Sequence, residues 1–516
     1  MAVADLFDRG LAYDPHRPFA IDPASSTSFA EAADLSHRIA NALAAEGVGP
    51  GSSVAVYSPN SALGFTSVIG VFRSGAAWVP LNYRDGLASK IDFLRKTKTA
   101  CVFYDPPFED EVGEIAASVP TLRLLVALGP SKVSPVLREW VRDHAPAFRH
   151  APFPSEQIAV LDGTGGTTGT PKAAMQSHRS IETMAANTLT AMPLGPESPI
   201  CLIATPMTHG AGNLAHALMA SGATNVLLPQ FDPEEALAAV ERYRVTHVFL
   251  PPTAIYMLLT HERIRQFDLS SLRYLVYGGA PMSVDKLKEA IEIFGPVLTQ
   301  IYGQAEACLI CTCLTPAGHV LNDPALEHHL WSCGRPALLT PVQIMDDAGH
   351  LLGTGNRGEI VVRGSLVMSG YFEDPQATAE VTTNGWHRTG DVGYVDDDGF
   401  VYIVDRKKEM IISGGFNVYP VEVERALLSH PAVRECAVVG APDEKWGEAV
   451  TAVLELKPGA FAGEDELIAH CKKLLGSIKT PKRLEIWPEL PRNANGKILK
   501  REIRARFWPG ENRRMI

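Results

Sequence analysis

The stretch Thr164–Lys172 reads TGGTTGTPK. Gly165, Gly166 and Gly169 allow successive backbone N–H groups to converge on one concave site, while Thr164, Thr167 and Thr168 add hydroxyl donors and Lys172 a cation. This is chemistry for an anion, and phosphate suits it best. The run is not the common nucleotide loop G-x-x-x-x-G-K-[ST], because Gly166 and Gly169 stand too close together and Pro171 precedes the lysine. Taken alone, the stretch has a second reading as a flexible Gly/Thr surface loop.

The elements that must hold such a loop are legible in the flanking pattern. Short β-rich runs alternate with helical ones: SSVAVYS, SALGFTSVIGVFRSG and AAWVPL early, then THVFLPP, LRYLVYGG and VDKLKEAIEIFG. Such alternation predicts βαβ units, with binding loops at the strand ends. From PVQIMDD to GFVYIVD the rhythm changes to short strands separated by Gly, Asp and Asn turns, predicting a small β subdomain. After Asp405 and the charged run RKKE, the rest reads as a compact α+β module. The expected architecture is therefore α/β, with a large N-terminal domain over 1–407 and a small mobile C-terminal domain over 408–516.

Composition limits the partners. Over 516 residues, 47 Lys and Arg face 58 Asp and Glu, a formal charge of −11, which argues against a nucleic-acid-binding body. The eight cysteines are scattered apart from Cys308, Cys311 and Cys313 in CLICTC, which reads as buried thiols in a strand; a reducing cytoplasm is expected. No secretory leader, membrane-span pattern or lipidation signal is seen, so integral membrane association is not expected.

Five motifs occur in order: TGGTTGTPK, YGQAEA, GWHRTGD, DRKKEMIISGGFNVYP and PRNANGKILKR. In this combination the chain resembles the adenylate-forming superfamily, which includes acyl-CoA synthetases, luciferases and the adenylation domains of peptide synthetases. The resemblance runs from about Asp5 to about Arg504. It implies that the Gly/Thr loop closes over the β- and γ-phosphates of ATP. It also places Tyr302 against adenine, Glu306 on Mg²⁺, and Gly303, Gln304 and Ala305 beside the nucleotide. A carboxylate suits a hard cation and an aromatic face suits a base. Many relatives carry Thr at the position of Ala305, so one hydroxyl contact is missing. Gln300 and the run Tyr277, Gly278, Gly279, Ala280, Pro281 match the walls of the adenine and acyl pockets, with a buried strand end as the alternative.

By the same resemblance Asp391 receives both ribose hydroxyls and Arg406 donates to the same sugar, chemistry that an acceptor and a fixed-charge donor perform well. Lys497 bridges the substrate carboxylate and the α-phosphate while pyrophosphate leaves, so no protein nucleophile is needed. Thioester formation is a different transition state. The family reaches it by rotating the C-terminal module about a hinge, here Lys408, which brings Gly414 and Gly415 beside the pantetheine chain of CoA. Asn417 matches a position used on the nucleotide in one of the two states, and Ile412 stands where certain aryl-acid relatives carry a lysine.

For the acyl group, His209 replaces the Asp with which amino-acid-activating relatives hold an ammonium, so an uncharged tail is implied. His209 is placed near the reacting carboxylate, with a core or gating histidine as the alternative. Gly210, Tyr277, Gly278, Ala280 and Cys308 would line an apolar pocket of moderate size, suited to an aromatic, branched or medium-chain acid. The expected function is an acid–thiol ligase that makes acyl-CoA from a small carboxylic acid, ATP and CoA with Mg²⁺, alone or as a homodimer. An acyl-AMP ligase loading a carrier protein is one alternative, and a non-catalytic or light-emitting relative is another.

Overall fold

The computed structural model describes residues 1–147, 153–164, 172–280, 282–321, 323, 326–407, 409–414, 416–492 and 498–508. The chain divides into two compact units, residues 1–342 with 362–387 and residues 343–361 with 388–516.

The first unit is built on two large sheets. In one, Leu124–Ala127, Cys101–Tyr104, Ser53–Tyr57, Ala77–Pro80 and Ile158–Gly163 run parallel, and Ala173–Ser177 closes the edge antiparallel to Ile158–Gly163. In the other, Leu298–Gln304, Tyr274–Tyr277, His247–Leu250, Ile200–Ile203, Thr224–Leu227 and Pro18–Ile21 run parallel, and Ala307–Leu314 returns antiparallel beside Leu298–Gln304. Each parallel sheet thus carries an antiparallel hairpin, and these two hairpins bear the first two motifs.

Local chemistry explains the helices between the strands. Ser28 and Glu31 form a capping box at the start of Phe29–Ala45: Ser28 Oγ accepts the Glu31 N–H at 3.2 Å and the Ser28 N–H donates back to Glu31 at 2.8 Å. The SALGFTSVIGVF run forms Ala62–Ser74, which starts at Ser61 and ends where Gly75 takes the left-handed conformation, φ 78°. That helix is buried almost all round, which accounts for its apolar composition. Among the described residues, no helix is long and apolar enough to cross a membrane.

The core of this unit includes an aromatic cluster. Phe7, Phe19, Phe29 and Phe65 lie with ring centroids 4.9–5.3 Å apart. His216, on Gly210–Leu218, stacks on Phe65 at 5.5 Å and meets the edges of Phe72 and Trp78, both at 5.6 Å. The CLICTC cysteines lie in Ala307–Leu314, a strand buried along its whole length, as buried thiols.

The second unit contains the small β sheet and the α+β module. Leu351–Leu352, Val342–Met345, Gly358–Val362, Trp386–Val395 and Val401–Arg406 lie side by side in that order. In the module, Phe416–Val418, Ile411–Ser413, Gly447–Leu456 and Val433–Asp443 form an antiparallel sheet, and Arg483–Ile486 joins parallel to Gly447–Leu456. Helices Pro420–Leu428, Glu464–Lys479 and Lys500–Phe507 complete it. The expected hinge, Lys408, lies outside the described residues.

Burial lowers the imidazole pKa of His216, His247 and His319 from 6.5 to about 4. Below pH 6.5 the unfolded chain takes up protons that the native state refuses until about pH 4, so stability is full above pH 6.5 and falls with acidification across that window. Each group can remove about 3 kcal/mol. His216→Leu should flatten the pH dependence of the urea midpoint between these limits; an unchanged slope would show that His216 titrates normally.

Candidate active site

The phosphate-suited run sits at the tip of the first hairpin. Asp162 pairs with Ala174 and Gly163 with Ala173, and the Thr164 N–H donates to Lys172 O at 2.9 Å. Thr164 and Lys172 therefore form the mouth of the loop. Gly165, Gly166, Thr167, Thr168 and Gly169 lie outside the described residues. Lys172 Nζ stands 4.8 Å from the centre of the Tyr371 ring.

The second hairpin carries YGQAEA. Gln304 pairs with Ala307, leaving Ala305 and Glu306 as a two-residue turn. Gly303 is required by close approach: a Cβ there would lie 2.4 Å from the backbone of Leu309, which itself takes φ 62° opposite an irregularity in the pairing. Gln304 Nε2 lies 3.0 Å from His387 Nε2, and Tyr302 is partly exposed. Tyr371 OH donates to Glu306 Oε1 at 2.7 Å. Burial first, and then the charge of Glu306, push the Tyr371 phenol pKa well up, so it stays a donor. Among the described residues, Glu306 makes no ion pair.

Three chain-distant segments meet here. The run 367–372 bridges Ala307 through Val367 and Ala174 through Tyr371, and the Met368 N–H donates to Glu306 O at 2.8 Å. Gln176 Nε2 donates both to Asp162 Oδ2 at 3.2 Å and to Ala305 O at 2.9 Å. Dense surroundings, then the nearby Glu306 carboxylate, raise the Asp162 pKa to about 7. An unneutralised carboxylate with a second acid close by is an electrostatic deficit that a divalent cation would relieve, so these residues fit the Mg²⁺ expected at Glu306.

Around the expected acyl pocket, His209 precedes Gly210–Leu218; its Nδ1 lies 2.9 Å from Thr208 O and its Nε2 3.5 Å from Asn82 Nδ2. The side chain is solvent-accessible yet closely surrounded by protein, as on the floor of a cleft. Those surroundings lower the imidazole pKa against the opposing charge of Asp85, which favours the neutral ring. A Cβ on Gly210 would lie 2.6 Å from the Phe249 ring. Tyr277 is buried, its OH donating to Gln300 Oε1 at 3.1 Å and lying 3.0 Å from His319 Nε2. Gly278 answers to backbone crowding, since a Cβ would stand 2.6 Å from Ile301 O. Gly279 has φ 77°, Ala280 is partly exposed, Cys308 is buried, and Pro281 lies outside the described residues.

In the second unit, Asp391 and Arg406 are directly paired across Trp386–Val395 and Val401–Arg406, with Arg406 Nε 3.3 Å from Asp391 Oδ1. Behind them lies Glu359, which was not singled out from the sequence. One of its oxygens takes Arg388 Nε at 2.9 Å, Arg388 Nη2 at 2.6 Å and Lys407 Nζ at 3.2 Å; the other accepts the Gly390 N–H at 3.1 Å. Glu359 therefore fixes the strand at Gly390, whose φ is 76°, immediately before Asp391. The only signal was an acid at a core-facing register of GEIVVRG, across from an arginine.

Further along, the Gly414 N–H donates to Trp446 O at 2.8 Å, and a Cβ on Gly414, whose φ is 59°, would lie 2.7 Å from the Trp446 ring. Lys445 and Lys482 ammonium groups flank that ring at 5.0 and 5.3 Å. Ile412 pairs with Asn417 in the backbone register. Gly415 and Lys497 lie outside the described residues. The Arg492–Ile498 bridge brackets the segment that bears Lys497.

Two α/β sheets with a phosphate-suited hairpin and a cation-suited carboxylate, and an Asp–Arg pair suited to ribose in the second unit, are features expected of a nucleotide-dependent activating enzyme. A family model described as AMP-binding enzyme matches residues 7–372, and one described as AMP-binding enzyme C-terminal domain matches 422–497. A feruloyl-CoA synthase of Amycolatopsis sp. is 36% identical over 501 residues, covering 97% of this chain and 98% of the relative. The amide bond synthetase McbA of Marinactinospora thermotolerans superimposes with a TM-score of 0.89 at 33% identity, covering 98% of this chain and 100% of that one. The o-succinylbenzoate CoA synthetase of Bacillus subtilis, solved with its acyl-adenylate intermediate, gives 0.84 at 30% identity over 99% of both chains. The chain belongs to the adenylate-forming superfamily and is an acyl-CoA synthetase, an AMP-forming acid–thiol ligase.

Glu359→Ala should leave Arg388, only 13% exposed, without its principal counter-charge. The expected loss is about 3–5 kcal/mol, read from urea denaturation, with weakened ATP binding in calorimetry as the strand at Gly390 and Asp391 loosens. Unchanged stability and ATP affinity would remove Glu359 from this role.

Proposed function

We propose that the chain divides its reaction between two sets of residues, one for adenylation and one for thioester formation. In the first step a carboxylate oxygen of the substrate attacks the α-phosphorus of ATP; the bond from that phosphorus to the bridging oxygen breaks, and pyrophosphate leaves. Thr164 to Lys172 hold the β- and γ-phosphates, Tyr302 packs on adenine, and Asp391 with Arg406 reads the ribose. Lys497 screens the carboxylate and the α-phosphate as they approach. Mg²⁺, when bound, neutralises charge on the leaving phosphates. Glu306 is the protein group that holds it. What supports this set most is the tie between Glu306 and Tyr371 beside the mouth of the phosphate loop.

In the second step the CoA sulfur attacks the acyl carbon, the carbon–oxygen bond breaks, and AMP departs with the oxygen that came from the acid. Gly414 and Gly415 give the pantetheine chain close backbone approach. Trp446 between Lys445 and Lys482 offers an aromatic, cationic surface suited to the nucleotide end of CoA. Lys408 is the pivot between the two arrangements, and Asn417 acts in one of them.

The acid we propose has an uncharged aromatic, branched or medium-chain tail lodged near His209, Gly210 and Ala280, with Tyr277, Gly278 and Cys308 forming the wall behind. A neutral His209 suits an apolar tail better than an ammonium-bearing one. We place the enzyme in the cytoplasm, because none of its eight cysteines forms a disulfide. A panel of carboxylic acids supplied with ATP and CoA, with AMP, pyrophosphate and acyl-CoA monitored together, tests the assignment. An amine or a carrier-protein thiol accepting the acyl group in place of CoA would redirect the second step.

Lys497→Ala should slow acyl-adenylate formation by about two to three orders of magnitude while sparing thioester formation from supplied acyl-AMP. Single-turnover pyrophosphate release and acyl-CoA formation, followed separately, check this. Equal loss of both half-reactions in a folded variant would contradict it.

A further inference from the structure

Gln176 has no role in the reading above, yet it is only 2% exposed. A buried primary amide must find partners for its hydrogens, and this one commits both: Nε2 lies 3.2 Å from Asp162 Oδ2 and 2.9 Å from Ala305 O. Strand register explains how the pair forms. Gln176 is opposite Val160, so Asp162, two residues along, shares its face of the hairpin as a diagonal neighbour. Asp162 belongs to the strand that enters the phosphate loop, and Ala305 is the residue before Glu306 in the turn of the other hairpin. Gln176 therefore joins two hairpins from different sheets within the first unit, 129 residues apart in sequence.

We propose that Asp162 and Gln176 are positioning residues for the adenylating step: a carboxylate–amide relay that fixes the Ala305–Glu306 turn, and hence the Glu306 carboxylate, relative to the phosphate-loop hairpin. The proposal rests on the assignment of Glu306 as the cation ligand. A two-residue turn is held at its ends by the Gln304–Ala307 pair and on one side by the Met368 N–H on Glu306 O. The Ala305 carbonyl is a further handle on the turn, and Gln176 holds it. Without that bond the peptide preceding Glu306 can rotate, and among the described residues Tyr371 is then the hydrogen-bond partner left to hold the carboxylate. Asp162 orients the amide, because an acceptor on one side of Nε2 directs its second hydrogen at Ala305 O. Placement errors of this size affect a step governed by alignment far more than they affect binding of the acid.

The test uses the full-length enzyme and four variants: Gln176→Met, Asp162→Ala, Asp162→Asn and Glu306→Gln. Three quantities are measured: the affinity for Mn²⁺ in the presence of ATP by electron paramagnetic resonance, single-turnover pyrophosphate release, and thioester formation from supplied acyl-AMP. Gln176→Met and Asp162→Ala should each weaken Mn²⁺ binding by about tenfold and slow pyrophosphate release by about ten- to a hundredfold. The KM for the acid and the thioester step should stay within about threefold of wild type. Asp162→Asn keeps an acceptor for the amide and should recover most of the loss. Wild-type Mn²⁺ affinity in Gln176→Met and Asp162→Ala, with affinity lost in Glu306→Gln, would overturn the relay and leave the Glu306 assignment standing. Wild-type affinity in Glu306→Gln would remove that assignment, and the relay with it. Loss of both half-reactions in Gln176→Met and Asp162→Ala together would make the pair an element of the fold and likewise overturn the proposal.

Discussion

The hydrogen bond from Tyr371 to Glu306, 2.7 Å long and spanning 65 residues of sequence, anchors the hairpin turn on which the proposed phosphate and cation site depends. Attack of a carboxylate on an α-phosphate needs no protein nucleophile, so the enzyme contributes chiefly by placing charges. That places the demand on the backbone that carries those charges. Glu306 sits on a turn of two residues, Lys172 at the mouth of a loop, and both are referred to the same tyrosine, one through its hydroxyl and the other over its ring. The run 367–372 is stitched by backbone bonds to both hairpins, so Tyr371 is the point at which the two large sheets acquire a common frame.

The second unit solves a similar problem with buried charge. Asp391 follows a strand glycine, Gly390, whose N–H is held by Glu359, and that acid is itself balanced by Arg388 and Lys407. Beside the expected pivot, Asp405 accepts the N–H groups of Arg406 and Val421 at 2.6 and 2.9 Å, and Lys500 pairs with Glu424 at 2.8 Å and Glu409 at 3.1 Å. Burial raises the Asp405 pKa to about 6, with the Lys500 charge opposing it. For Lys500 the order is reversed: burial favours loss of its proton, and the surrounding carboxylates more than compensate, so its pKa rises. Breaking one member of such a group leaves uncompensated charge, which makes the segments on either side of the pivot well defined.

The two α/β sheets, the small β sheet and the terminal module were legible because their hydrophobic periods and Gly, Pro and Asp punctuation are local properties. So were the residues expected to face substrate, since Glu306, Asp391, Arg406 and Lys497 each stand in a short run whose neighbours carry the meaning. Their supports were not. Tyr371, Gln176, Asp162 and Glu359 are ordinary in their own stretches and acquire a function only through register between strands far apart in sequence. Asp162 in LDGTGG reads as a turn residue until Gln176 is seen beside it. Tyr277 and Gly278, expected as pocket walls or a buried strand end, also take on contacts that pattern alone does not give: the tyrosine is bound to Gln300 and His319 in the interior, and the glycine is required by the approach of Ile301.

The central claim is that the acid is activated by bonding one of its own oxygens to the α-phosphorus and is then transferred to the thiol. This can be followed atom by atom. A carboxylic acid labelled with heavy oxygen in both carboxylate positions is incubated with the enzyme, ATP and CoA, and the products are analysed by mass spectrometry. The mechanism requires one labelled oxygen in the phosphate of AMP and one in the thioester carbonyl, with unlabelled pyrophosphate. Label in pyrophosphate or inorganic phosphate, or AMP that carries none while acyl-CoA accumulates, would contradict an acyl-adenylate route.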